Sequence, residues 1–384
     1  MSRWPTKPLS QIAAVSAGDP APQDKEDFSP DGYPFVRMQD VGRYGQTDNL
    51  TETADRISAP AALKLKRFPK GSILVPKSGA SIRLNHRAIL GVDAFVVSHL
   101  AVIIPKGVIN GRFLYYWLCS VDLSKVAHET DFPSLRLTDL QRVEVPCPPL
   151  PDQEQIVRIL DEADQLRRLR AEADYRTADL IPAMFHEMFG IPPKTWPIAK
   201  FGDLGTLDRG RSKHRPRDEA NLFGGPYPFI QTGDIANSGG CVKTYTQTYS
   251  ELGLSQSKLW PERTLCITIA ANIAKCAVLS FPVCFPDSVV GFIPNEFIIV
   301  EFAQSWLETL QTKLEDEAPQ AAQKNINLQT LRNLELRVPP VELQRTFAAR
   351  VAEIREMGAE QAASRRRLDD LFQSLLHRAF QGEL

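Results

Sequence analysis

Between Pro148 and Gly190, apolar or small residues recur at Ile156, Ile159, Ala163, Leu166, Ala173, Leu180 and Met184, with charge on the other faces. That spacing, close to 3.5 residues, predicts one long helix with a stripe narrow enough to want a partner helix rather than a broad core. Asp152 is expected as its N-cap, with Gln155 three residues on, behind the fence of Pro148, Pro149 and Pro151. Pro182 interrupts the pattern. An interior proline costs about 3 kcal/mol or kinks the helix, so a break is expected there, with Pro182 starting a short second helix.

The partner helix lies in the same chain. At a shift of 191 residues Gln153 falls on Gln344, Ala163 on Ile354, Leu180 on Leu371, His186 on His377 and Phe189 on Phe380. The shift holds upstream too, where Leu137 matches Leu328, Leu140 matches Leu331 and Pro148 matches Pro339. The chain is therefore two copies of one unit, each a domain followed by a long helix. The boundaries predicted are 1–150 for the first domain, 151–190 for the central helix, 191–340 for the second domain and 341–384 for the C-terminal helix.

The domains have the shorter patterns of strands and loops. Tyr33 to Val41 (YPFVRMQDV) is predicted as a strand running into a turn, and Tyr227 to Ile235 (YPFIQTGDI) repeats it at an offset of 194. GSILVP (71–76) and Leu265 to Ile269 are expected as matching buried strands. Polar turns follow them, Lys77 to Arg83 in the first copy and Ala270 to Lys275 in the second. Asp93 to Ile104 suggests one or two further strands, and Gly18 to Asp31, rich in Pro, Asp and Ser, a surface loop. Aromatics at helical spacing in Gly111 to Ser120 (GRFLYYWLCS) are expected in the core, in preference to a base-stacking platform.

Composition narrows the class. The chain has 384 residues, 43% hydrophobic and 24% charged, as in ordinary globular proteins with two to three domains. The first residues have no apolar segment of signal-peptide type, and the longest charge-free apolar stretch is short of the ~20 residues a bilayer span needs, so a cytoplasmic protein without membrane contact is expected. Six irregularly spaced cysteines without a CxxC pair suggest neither a zinc site nor a disulfide framework. Net charge is −1, so any surface for a polyanion has to be a local patch. Two basic runs qualify: Lys64, Lys66, Arg67 and Lys70, and the denser Arg209, Arg211, Lys213, Arg215 and Arg217. The second has breakers and no apolar period, so it is expected as a mobile loop. Its crowded like charges favour a DNA backbone as partner over plain solvation.

Catalytic constellations are missing. No GxxxxGK[ST], HExxH or GxSxG is present. Phe201-Gly202-Asp203-Leu204-Gly205 is a lone scrap of a methyl-donor loop without an Asn-Pro-Pro-Tyr or Asp-Pro-Pro-Tyr segment. His186 and His377, at matching helix ends, suit a cation favourable to the helix dipole. By contrast the paired turns differ where side chains hydrogen-bond: Arg37-Met38-Gln39 faces Gln231-Thr232-Gly233, and Lys77-Ser78-Gly79 faces Ala270-Ala271-Asn272. Such residues make bidentate contacts to base edges in the major groove, and two copies that differ there are what two different base sequences would require.

Pro148-Pro149-Leu150-Pro151-Asp152-Gln153, its divergent copy Pro339-Pro340-Val341-Glu342-Leu343-Gln344, the Phe185-His186-Glu187-Met188-Phe189-Gly190 close and the C-terminal His377-Arg378-Ala379-Phe380-Gln381-Gly382-Glu383-Leu384 resemble the specificity (S) subunit of type I restriction–modification systems. The resemblance covers essentially the whole chain. It implies an α+β fold with two repeated mixed α/β target-recognition domains, joined by two long helices that form an antiparallel coiled coil with pseudo-twofold symmetry. It implies a non-catalytic subunit that binds double-stranded DNA, each domain reading one half of a split sequence. Two modification subunits, which carry the S-adenosylmethionine, would bind around it, and restriction subunits could join; no cofactor is expected in this chain. The site residues expected are Arg37, Gln39, Lys77, Ser78 and Arg83 in the first copy, and Arg209, Arg211, Lys213, Gln231, Thr232, Asn272, Lys275 and Lys324 in the second. One departure stands out: Gln323-Lys324-Asn325 matches the polar segment of the family, where the first copy has Phe132-Pro133-Ser134. The rivals are a duplicated structural adaptor that binds protein, separable by salt-steep retention on DNA, and a self-sufficient methyltransferase, which would have to bind S-adenosylmethionine alone.

Overall fold

A computed structural model describes residues 4–43, 49–127, 133–214, 216–270, 273–317 and 326–384. The chain divides into two compact units, Met1–Ala173 with Gln361–Leu384, and Asp174–Glu360. Each therefore takes part of both long helices.

In the first unit a five-stranded sheet runs in the order Ala13–Ala17, Leu100–Pro105, Ile73–Pro76, Ala88–Leu90, Asn49–Leu50. A four-stranded sheet runs Asp55–Ile57, Phe28–Val36, Ala94–Val96, Arg67–Phe68, and a ribbon pairs Thr6–Pro8 with Glu144–Pro146. The second unit repeats this strand for strand. Its five-stranded sheet is Gly205–Arg209, Val289–Pro294, Leu265–Thr268, Cys276–Leu279, Cys241–Val242. Its four-stranded sheet is Gln247–Tyr249, Phe223–Phe229, Val283–Cys284, Leu259–Trp260, and its ribbon pairs Ile198–Lys200 with Glu335–Arg337. The duplication expected from the 191-residue shift is thus a duplication of topology.

The buried strands Ile73–Pro76 and Leu265–Thr268 are apolar on both faces because each is covered on both sides. The Gly111–Ser120 helix is core: Phe113 to Leu118 are all buried, and Asn110 caps its first turn by accepting from the Arg112 and Phe113 amides. Two expectations are corrected in this unit. Phe28 to Asp31 belong to the Phe28–Val36 strand rather than to a loop, and the turn after Lys77 closes into a short helix, Ala80–Arg83.

The first long helix spans Leu150–Ala178, and a second, Leu180–Phe189, follows after Asp179 alone. The break falls three residues before Pro182 for a simple reason: the residue four positions back is Ala178, whose carbonyl a proline can neither bond nor clear. The helix also begins at Leu150, so Asp152 lies in its first turn and is not the N-cap. Pro151 is tolerated there because the early N–H groups of a helix have no partner within it. The buried stripe is Gln153, Ile156, Val157, Leu160, Ala163 and Asp164, while Leu166 is exposed. It is wider than a coiled-coil seam because within the first unit this helix faces two neighbours at once. Along the Gly111–Ser120 helix, Asn110 meets Gln153 and Tyr116 meets Asp161, while Phe113 meets Phe380 and Tyr116 meets Phe372. The first long helix thus runs parallel to the aromatic helix, and the Val341–Gln381 helix antiparallel to both. Arg167 fastens the pair, bonded to Asp369 at 2.7 Å and lying over the Phe372 ring. In the second unit Phe185, Phe189, Phe302 and Phe347 form the corresponding aromatic knot.

The repeated glutamine of the helix-entry motif is a clamp. Gln153, fully buried, accepts from the Asn110 amide and donates to the Pro148 carbonyl, both at 2.8 Å. Gln344 does the same with the Ile299 amide and the Pro339 carbonyl, again at 2.8 Å.

Candidate nucleic-acid interface

The site is built where the strand Phe28–Val36, or Phe223–Phe229, ends. Both strands carry a bulge, between Phe28 and Tyr33 and between Phe223 and Tyr227, which sharpens the local bend. Beyond it Phe35 pairs with Asp55 and Phe229 with Gln247. The next short helix is held at the strand end by an acidic residue: the Arg37 amide donates to Asp40 Oδ2 at 2.7 Å, and the Gln231 amide to Asp234 Oδ2 at 2.8 Å. The shared Asp is therefore scaffold, and so is the buried Phe35 or Phe229 at the strand end.

The side chains on that scaffold differ. Arg37 donates through Nε to the Asp55 carboxylate, and its guanidinium lies 5.6 Å from the Phe28 ring centroid and 5.5 Å from that of Phe35. Gln39 is exposed on the following helix. In the second unit Gln231 Nε2 donates to Gln247 Oε1 at 2.9 Å, beside the stacked rings of Phe229 and Tyr249, 4.1 Å between centroids. Thr232 starts the helix that Gln231 caps. A groove of about 430 Å³ opens here, lined among others by Ser212, Arg217, Phe229, Gln231, Gln247 and Tyr249.

The second cluster sits one turn away. Lys77 donates its amide to the His99 carbonyl, Val97 donates to the Val36 carbonyl, and so the Val97–His99 turn lies between Arg37 and Lys77. Ser78 Oγ is 3.3 Å from His99 Nδ1. The same turn is stitched to residues 133–135: Gly79 donates to Pro133, Leu135 donates to Lys77, and Ser78 bridges to Ser134. Burial pushes the Lys77 ammonium below its ordinary pKa, and a phosphate beside it would push it back. Arg83 is exposed at the end of the Ala80–Arg83 helix. In the second unit Ile326 donates to Ile269, the counterpart of the Leu135–Lys77 bond, so Lys77 corresponds to Ile269 rather than to Ala270 as the sequence pairing expects, and Lys275 is exposed with Nζ 3.4 Å from Gln311 Oε1. Asn272 and Lys324 lie outside the described residues.

The basic loop is fastened to the sheet, where a mobile loop was expected. Gly210 and Arg211 donate their amides to Val289 and Phe285, Ser257 Oγ donates to the Arg211 carbonyl, and the Lys213 and His214 amides both donate to Gln256 Oε1. Arg209, Arg211 and Lys213 still turn their side chains to solvent. Arg217 pairs with Asp287 at 2.9 Å, and His214 bonds Glu219, holding that carboxyl below its ordinary range. In the first unit Gly18 and Asp19 stand where Gly210 and Arg211 stand, with amides donated to Leu100 and Val96. At both places only glycine fits, since a Cβ would come within 2.0 Å of the Val96 carbonyl oxygen or 2.3 Å of that of Phe285. The first-unit segment that follows carries mainly negative charge (Asp19, Asp24, Glu26 and Asp27 against Lys25), so the positive charge there comes instead from Lys64, Lys66, Arg67 and Lys70. Asp19 Oδ2 accepts from the Lys66 amide, which ties that run to the loop, and Asp93 Oδ1, between the strands Ala88–Leu90 and Ala94–Val96, accepts from the Lys70 amide.

Sequence reasoning did not find Asp55, Gln247 or the groove role of Ser212 and Arg217. The first two are 18 and 16 residues from the side chains they meet, on strands whose sequences share no motif.

The sequence matches the family described as "Type I restriction modification DNA specificity domain" over residues 1–173 and again over 193–356. The chain belongs to that family. Among its relatives, the type I restriction enzyme MjaIX specificity subunit of Methanocaldococcus jannaschii is 24% identical over 300 residues, 68% of this chain and 65% of that protein. The HindI specificity subunit of Haemophilus influenzae is 26% identical over 219 residues, 54% of this chain and 47% of that protein. The matched stretch thus spans between about half and two thirds of these relatives. The specificity-subunit fold is shared over almost the whole length with the crystal structure of the S subunit from M. genitalium, with a TM-score of 0.59 at 16% identity, covering 99% of this chain and 96% of that one. A chain from work on complex assembly and conformational transition of the type I R-M system gives a TM-score of 0.62 at 20% identity, covering 99% and 98%. Among the described residues of this specificity-family chain, no helix is long and apolar enough to cross a membrane.

Proposed function

We propose that this chain is the non-catalytic DNA-reading subunit of a type I restriction–modification complex in the cytoplasm, and that each of its two units reads one half of a bipartite sequence. The observation that carries the reading is a repeated scaffold with unlike side chains at matched positions: Arg37 against Gln231 after the bulged strand, on backbone held alike by Asp40 and Asp234. A scaffold kept constant under varied hydrogen-bonding groups is what sequence recognition needs. Arg37, Gln39, Lys77, Ser78 and Arg83 serve one half-site; Gln231, Thr232, Asn272, Lys275 and Lys324 serve the other. Arg209, Arg211 and Lys213 contact phosphates.

Methylation and cleavage belong to the partners, two modification subunits that hold S-adenosylmethionine and the restriction subunits that join them. The family membership and the lack of a catalytic motif in the sequence support this division. The long helices set the spacing: 41 residues at ~1.5 Å each make the second about 60 Å long, more than one ~34 Å turn of DNA. Methylome sequencing of cells expressing the chain with its modification subunit tests the reading. One split motif with an unread spacer is expected; a continuous motif, or no sequence-dependent methylation, overturns it.

A further inference from the structure

We infer that Asp55 and Gln247, two residues with no assigned role, complete the base-reading elements of the two units, so that the Arg37–Asp55 pair recognises a G·C base pair and the Gln231–Gln247 pair an A·T base pair at the matching place in each half-site. The inference rests on the proposed DNA-reading role and deepens it.

The two pairs are equivalent by register. Asp55 is the cross-strand partner of Phe35 and Gln247 of Phe229, so each faces the residue two beyond, Arg37 or Gln231. Their chemistry differs in a way that matches base edges. Arg37 spends Nε on Asp55, and its two terminal amino groups have no hydrogen-bond partner among the described residues. They present donors only, beside the Phe28 and Phe35 rings. In the major groove guanine presents two acceptors, O6 and N7, and arginine binds them as a fork. The second Asp55 oxygen is an acceptor for the amino group of the paired cytosine.

In the second unit the polarity is mixed. Gln231 Oε1 accepts from the Asp234 amide, which fixes the orientation of its amide group, and Nε2 donates to Gln247. That leaves an acceptor lone pair on Oε1 and one hydrogen on Nε2. Gln247 Nε2 adds two donors without partners among the described residues. Acceptor and donor together match the N6 amino group and N7 of adenine, and the further donor matches O4 of thymine. An aspartate at 247 would offer no donor, and a glutamine at 55 would leave Arg37 without the charge that aims it.

Asp55 is thus a positioning residue as well as a reader. The test is selection of bound duplexes from a randomised pool by the full chain assembled with its modification subunits. Wild type is compared with the double exchanges R37Q/D55Q and Q231R/Q247D, and with D55N and D55E. The exchange in unit 1 is expected to turn one G·C position into A·T, and the exchange in unit 2 one A·T position into G·C, each leaving the other half-site unchanged. D55N should lower discrimination at that single position by about 5- to 150-fold, the range of one bidentate base contact, while total DNA retention holds; D55E should restore it. A selected sequence unaltered at every position, or both half-sites weakened alike, overturns the inference. If wild type itself selects no sequence, the failure lies with the DNA-reading role instead.

Discussion

Replacing Gln153 by alanine isolates what the repeated helix-entry motif does. The amide of Gln153 satisfies two backbone groups, the Asn110 N–H and the Pro148 C=O, in a site that is 1% exposed. Alanine leaves both buried and unpaired. Each orphaned group costs about 1–3 kcal/mol, so the change should cost the first unit about 2–6 kcal/mol. Folded domains hold about 5–15 kcal/mol in all, so this is a large share. The effect has an address, because Asn110 is the N-cap of the aromatic helix and its side chain holds the Arg112 and Phe113 amides. Hydrogen exchange on the full chain should show the amides of residues 110–118 opening at least ~30-fold faster, the equivalent of about 2 kcal/mol. The helix Val300–Thr309, clamped by Gln344 in the other unit, serves as internal reference. Gln344→Ala should invert the pattern, loosening Val300–Thr309 and sparing Gly111–Ser120. If Gln153→Ala changes exchange across 110–118 by less than about fivefold, a water has taken over both bonds. The clamp would then be an accident of sequence alignment rather than a structural device.

Three further outcomes are expected. Burial, with Arg87 beside it, holds His86 below its ordinary pKa of 6.5; a depressed folded-state value means that its contribution is present above pH 6.5 and is lost as pH falls through the lower folded value. Urea midpoints measured from pH 8 to 5 should fall on the acid side in wild type and less steeply in His86→Asn; parallel curves would remove His86 from the account. Arg211→Ala with Lys213→Ala should weaken binding to all sequences alike and reduce the slope of log affinity against log salt by up to about 2, measured by filter binding in a KCl series. An unchanged slope would mean that neither cation meets a phosphate. Deleting seven residues from each long helix removes ~10 Å of rise, so methylome sequencing should find a spacer about three base pairs shorter; an unaltered spacer contradicts the proposed ruler.

The sequence is most informative where repetition makes structure visible twice. Leu137, Leu140, Pro148 and Gln153 fall on their partners at one fixed offset, and the elements around them do prove identical in topology. Local chemistry is legible too: the Gly111–Ser120 aromatics are core, and Pro182 brings a break. Its position is displaced because the lost bond reaches back to Ala178, a consequence of helix geometry rather than of the proline's own place. The stripe of the first long helix misleads at Leu166, because periodicity cannot tell one neighbour from two. Asp55 and Gln247 were invisible for a different reason. Their meaning comes from cross-strand register beyond a bulge, and beyond an accepting oxygen an aspartate and a glutamine share nothing that a sequence pattern would mark. The same holds for Asp19 and Arg211, which occupy one structural position with opposite charge, each after a glycine that no side chain could replace.

On the proposed function, that division of labour is how one scaffold would serve two readings. The groups that fix the backbone, Asp40 and Asp234 in the short helices after the strands and Gln153 and Gln344 at the long-helix entries, bond to main-chain atoms. They are blind to what the neighbouring side chains are. The side chains that differ, Arg37 with Asp55 and Gln231 with Gln247, bond chiefly to one another. Exchanging such a pair as a unit leaves neither member without its partner, whereas changing one member strands the other. Recognition positions on this fold should therefore vary in pairs across the bulged strand, while the main-chain clamps stay constant. A single substitution at 37 or 55 is then a poorer guide to what the position reads than the paired exchange.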